Sequence, residues 1–141
     1  MTEITLSNET VQCINLATKH SKAKIIDCVV EEEKIVFVVE KGQLGIAIGI
    51  KAKNIEKLRN LFKKTVKFVE YDNDKEKFIQ NLCKPYKINK IMFDGAENGY
   101  IARIEANPRD KSKLIGKGGN NISIIRKLAQ RHHPIKDVQI V

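Results

Sequence analysis

Two stretches of this chain are versions of one another. Ile48-Gly49-Ile50-Lys51-Ala52-Lys53-Asn54-Ile55 can be laid on Ile115-Gly116-Lys117-Gly118-Gly119-Asn120-Asn121-Ile122, with Gly49 and Gly116 separated by 67 of the 141 residues. Each copy runs on into an apolar pattern at helical spacing: Ile55, Leu58, Leu61 and Phe62 in the first, Ile122, Ile125, Leu128 and Ala129 in the second. Arg59 and Arg126 occupy matching positions within these patterns. A repeat at half the chain length means that one unit has been duplicated, so the chain must fold as two similar units of about 70 residues each.

The segments before each copy agree in type. Ser7 and Glu9 open a predicted helix with an apolar stripe of Val11, Ile14 and Ala17. Ile25 to Val30 and Ile35 to Val39 read as strands joined by the charged turn Glu31-Glu32-Glu33-Lys34, and Val66 to Val69 reads as a third strand. In the second half Asp74 caps a helix carrying Phe78, Ile79 and Leu82, which Pro85 stops. A hairpin of Ile88–Phe93 and Tyr100–Ala106 turns at Asn98-Gly99. Asn107-Pro108 starts a short helix, a longer one runs from the glycine loop to about Arg131, and Asp137–Val141 closes as a strand. Each half is thus α-β-β-α-α-β, an α+β unit with a three-stranded sheet and helices packed on it. The boundary falls at the short linker Tyr71-Asp72-Asn73, giving domains 1–72 and 73–141.

Charge separates the halves. The net charge of the chain is +9. Residues 1–72 contribute +2 of it and residues 73–141 contribute +7. A field of that sign draws polyanions. Every apolar run is broken by Lys, Asp or Glu well short of a membrane span, and the N-terminus has no secretory leader. Cys13, Cys28 and Cys83 are odd in number and scattered, which argues for a reducing, cytoplasmic setting; Cys13 and Cys28 read as small core residues.

The loop Gly116-Lys117-Gly118-Gly119 carries the chemistry. Its glycines permit positive φ and close approach of another chain, and it feeds a helix N-terminus where free N–H groups favour an anion. Lys117 adds a cation at the tip. Asn120 and Asn121 either cap the helix or donate to a nucleotide, with capping favoured for at least one. A P-loop or dinucleotide fingerprint would follow a strand, whereas this loop follows a helix. Helix–Gly-x-x-Gly–helix is the mark of the KH domain, whose loop clamps about four nucleotides of single-stranded nucleic acid.

Over nearly its whole length the chain resembles the short archaeal form of the NusA family, a tandem of two type II (prokaryotic) KH domains. Ile115 to Ile122 matches the family's Ile-Gly-x-x-Gly-x-x-Ile core. The resemblance implies a non-enzymatic, cytoplasmic binder of single-stranded RNA that acts with RNA polymerase in pausing, termination or antitermination. It implies no cofactor, no small-molecule substrate and no membrane. The RNA site it implies comprises Ile115, Gly116, Lys117, Gly118, Gly119, Asn120, Ile122 and Arg126, with Gly49, Ile50, Lys51, Ala52 and Lys53 as its counterpart in the first half. Ile115, Ile122 and Ile125 would floor a groove for bases, although isoleucines at this spacing more often belong to a core. Arg126 is a phosphate or base contact or else a solvated charge. Ala52 replaces the closing glycine of the first copy, so that loop either holds a strained alanine or bends differently, and binds more weakly. Another KH-type RNA-processing or ribosome-associated protein, or a module docking on polymerase, shares these features and stays open. His132-His133 has no ligand-spaced Cys or acidic partner and reads as structural, and no catalytic constellation is evident.

Overall fold

The computed structural model describes residues 8–96 and 98–141, so the expected Ser7 cap lies outside the described residues. The chain forms two compact units that divide between Asp72 and Asn73. In the first, helix α1 (Asn8–Ser21) leads into strands β1 (Ile25–Val30) and β2 (Lys34–Val39). Helices α2 (Leu44–Ile48) and α3 (Lys53–Phe62) and strand β3 (Thr65–Glu70) complete it. The second repeats this order with α4 (Lys75–Cys83), β4 (Ile88–Ala96), β5 (Gly99–Ala106), α5 (Pro108–Ile115), α6 (Asn120–His132) and β6 (Ile135–Ile140).

Each sheet has the same mixed pairing. The hairpin strands β1–β2 and β4–β5 run antiparallel, and β3 and β6 add parallel to β2 and β5. A parallel neighbour needs a crossover, which the two helices and the glycine loop supply in each unit. Both first strands carry a bulge, between Ile25 and Asp27 and between Ile88 and Lys90. The second hairpin zips further than the sequence suggested, through Ala96↔Gly99, because antiparallel pairing continues right up to the turn.

Apolar burial follows the strand period and the helix stripe. In the first unit Ile35, Phe37 and Val39 pack with Cys13, Ala17 and Leu58 beneath the helices. The Phe37 ring lies 5.5 Å from Phe68 and 6.1 Å from Phe62. In the second, Ala102, Ile104 and Ala106 alternate inward along β5, and Phe78, Leu114, Ile125 and Leu128 are buried. Two stripe residues are corrected. Val11 and Leu61 are exposed, and the inward face of α1 is Cys13, Ala17 and Ser21. A sheet of three strands covers only one side of a short helix, leaving residues at the edge of the stripe outside.

Local chemistry sets the helix ends. The Asp74 carboxylate accepts from the Glu76 amide at 3.0 Å, and the Asn107 side chain accepts from the Arg109 amide at 3.0 Å. Cys13, Cys28 and Cys83 are all buried thiols. Among the described residues no helix is long and apolar enough to cross a membrane.

Phe37 fills the centre of the first core and is fully buried. Phe37→Ala is expected to destabilise that unit by about 3–5 kcal/mol, read from urea denaturation followed by circular dichroism.

Candidate nucleic-acid interface

The two loops share one backbone conformation despite different residues. Gly116 ends α5 at φ 79°, ψ 169°, and Gly49 ends α2 at φ 80°, ψ 170°. This region is essentially reserved for glycine. Space is closed as well: a Cβ on Gly116 would stand 2.8 Å from the Asn121 amide nitrogen, and one on Gly49 2.7 Å from Asn54 Nδ2. The leading glycine is therefore demanded by the fold itself.

The next positions behave differently. Gly118 and Gly119 are left-handed, at φ 63° and 76°. Their first-unit counterparts Lys51 and Ala52 take the same turn at φ 54° and 57°. Ala52 thus holds the strained conformation and the first loop does not bend differently, at a cost of roughly 1–2 kcal/mol per such residue. A Cβ on Gly118 would meet nothing within 4 Å. Internal packing does not require a bare backbone there, and the outward face of the second loop is open to another chain.

Asn121 holds this geometry from behind. Its Nδ2 donates to the Leu114 carbonyl at 2.8 Å, and Asn54 Nδ2 donates to Ile46 at 3.0 Å. Neither asparagine caps the helix that follows; Gly119 and Ala52 stand at those N-cap positions and offer no side-chain bond. The expected cap is instead a latch onto the end of the preceding helix, satisfying one of its orphan carbonyls. The signal was present in the repeat, since each asparagine follows its leading glycine by five residues.

The remaining site residues divide. Lys117, Gly118 and Asn120 are exposed around the second loop, and Ile50, Lys51, Ala52 and Lys53 around the first. Ile50 is 84 % exposed, an apolar tip where the second loop has Lys117. Ile115 is half-buried, whereas Ile122 and Ile125 are buried core residues, so Ile125 offers no floor to a base. Arg126 is not brought to the loop. It lies about 9 Å along α6 from Asn120, and its Nη2 donates to the Val138 carbonyl at 2.9 Å. Its Nε sits 2.6 Å from Asp137 Oδ1, a charge contact lying off the N–H direction.

Burial works to raise the Asp137 carboxyl, but it is outweighed. The Val138 amide, the Gln139 side chain and the Arg126 charge hold it below its ordinary value. His132 and His133 pack their rings at 5.7 and 5.4 Å from Phe78, a structural role, and the described residues contain no cluster able to hold a metal.

A repeated α-β-β-α-α-β unit, with a glycine-led loop between its paired helices, defines a tandem KH protein. The profile of the NusA-like second KH domain matches residues 75–140, and that of the KH domain matches residues 14–79. A probable transcription termination protein NusA of Methanococcus vannielii is 31 % identical over 98 % of this chain and 80 % of its own length. Its namesake from Halobacterium salinarum is 30 % identical over 97 % of this chain and 98 % of its own. The crystal structure of APE1850 is similar with a TM-score of 0.77 at 28 % identity, covering 96 % of this chain and 100 % of that one. The chain belongs to the family of archaeal NusA proteins.

The leading and central glycines should differ in cost. Gly116→Ala combines a glycine-only backbone with a backbone clash and is expected to destabilise by about 2–4 kcal/mol, against about 1 kcal/mol for Gly118→Ala, both read from urea denaturation. The Asp137 contacts supply a pH dependence of defined sign. Because the folded carboxyl lies below the unfolded value of about 3.9, their stabilisation is complete above that pH and is lost as pH falls through the folded value. Asp137→Asn should flatten the acid limb of a denaturation-midpoint profile there.

Proposed function

We propose that this protein is a single-stranded RNA-binding factor that works with RNA polymerase during transcription elongation, pausing, termination or antitermination. Residues 73–141 form the principal RNA-binding domain and residues 1–72 a weaker one. The observation that carries the reading is the open face of Gly118. Glycine stands in a left-handed turn with nothing within 4 Å of a prospective Cβ, beside Lys117 and ahead of α6. A bare backbone that internal packing does not require is one that a sugar–phosphate chain can approach closely.

The parts then act in order. The amides at the start of α6 face an anion, and Lys117 supplies a mobile charge. In the first loop a lysine and an alanine carry Cβ atoms at the third and closing positions, which keeps a phosphate further away. The role in transcription rests on the relatives, whose name is probable transcription termination protein NusA.

Fluorescence anisotropy with short single-stranded RNA, duplex RNA and single-stranded DNA at two salt concentrations tests the reading. Wild-type protein should prefer single-stranded RNA and weaken with salt. Lys117→Asp with Gly118→Asp should abolish binding while circular dichroism stays unchanged, because Lys51 shows that a side chain is accommodated in this turn. Unaltered RNA affinity in that folded variant would remove the loop from the site.

A further inference from the structure

The face of α5 that leads up to the second loop is a row of unpaired cations. Arg109 and Lys113 are helical neighbours four residues apart, both exposed, and Lys117 follows four residues later at the loop tip. The only residue α5 buries is Leu114, so Arg109 and Lys113 project on the outward side of the helix. Salt bridges found among the described residues are Lys41–Asp72, Arg103–Asp94 and Arg126–Asp137, and none involves these three side chains.

Nothing in the fold accounts for that row. A cation in the first turn, as Arg109 is, faces the positive end of the helix dipole. Like charges at i and i+4 destabilise a helix by a few tenths of a kcal/mol. Asp110 in the same first turn offsets part of the dipole effect but pairs with neither cation. The first unit, whose corresponding helix α2 has five residues against eight in α5, dispenses with the row. At the same offset of 67 residues, Arg109, Lys113 and Lys117 correspond to Gly42, Ile46 and Ile50. Ile46 and Ile50 are 49 % and 84 % exposed, so these are surface positions in both units and their charge is a property of the second alone.

We infer that Arg109 and Lys113 continue the phosphate track of the Lys117 loop along α5, so that the second domain grips an RNA backbone longer than the loop itself spans. The inference rests on the RNA-binding reading of that loop. Neighbours at i and i+4 lie about 6 Å apart, a spacing comparable to the step between successive phosphates of an extended strand. Each cation neutralises one phosphate and releases its counterions. Repulsion between the two side chains is relieved when a phosphate lies between them.

The test compares RNA lengths. Arg109→Gln with Lys113→Gln keeps good helix formers in α5, so the fold should persist by circular dichroism. Salt titrations of anisotropy are run with an oligouridylate of about four nucleotides, which fits the loop alone, and one of about twelve. With the longer RNA, the slope of log K against log salt should become shallower by about 1.4, two phosphates at about 0.7 each. With the shorter RNA it should not change. Lys87→Gln with Lys90→Gln removes the same charge from exposed positions outside α5, and should leave both slopes near wild type. An unchanged slope on the longer RNA, or an equal change in the Lys87/Lys90 variant, overturns the track and leaves the loop reading standing. Wild-type protein that binds neither RNA overturns both.

Discussion

A glycine at φ near 80° and ψ near 170° turns the chain out of one helix, and the rest of each unit depends on it. No L-residue with a side chain rests there at low cost. The same residue also permits the asparagine five positions later to reach back to the end of the preceding helix. Two short helices are thereby fixed as a pair, their apolar sides can meet the sheet together, and the parallel third strand arrives in register.

Because the frame is fixed from behind, the front of the loop is free to vary. The first unit has used that freedom to place lysine, alanine and isoleucine where the second places glycines and a lysine, without changing the turn. Strain at Lys51 and Ala52 is tolerated because Gly49 and Asn54 determine the path on both sides. One architecture therefore offers two chemically distinct surfaces, one basic and bare, the other apolar at its tip.

Much of this was legible in the sequence, and the reasons are physical. A duplication exposes element order because both copies must satisfy the same core, so α-β-β-α-α-β and the caps at Asp74 and Asn107 could be read directly. Val11 and Leu61 were misplaced because helical periodicity marks a stripe without fixing how wide a face the neighbouring sheet covers. Asn120 and Asn121 read as a helix cap or a nucleotide donor, with capping favoured for at least one, because that is the commoner use of asparagine beside a helix start. The left-handed turn puts a different residue in the cap position and aims the amide backward. Arg126 illustrates another limit: its partners on β6 are separated from it by the last six residues of α6 and the start of the strand, a contact that spacing along the chain does not reveal.

The buried cysteines give each half of the molecule its own clock. Cys13 and Cys28 lie inside the first unit and Cys83 inside the second. Burial, with Glu9 nearby, also pushes the Cys13 thiol up, which depletes the reactive thiolate even when a reagent arrives. Alkylation must then wait for local or global opening, and its rate counts those openings. A molecule without a single surface thiol thus carries an intrinsic record of how often each of its two cores breathes.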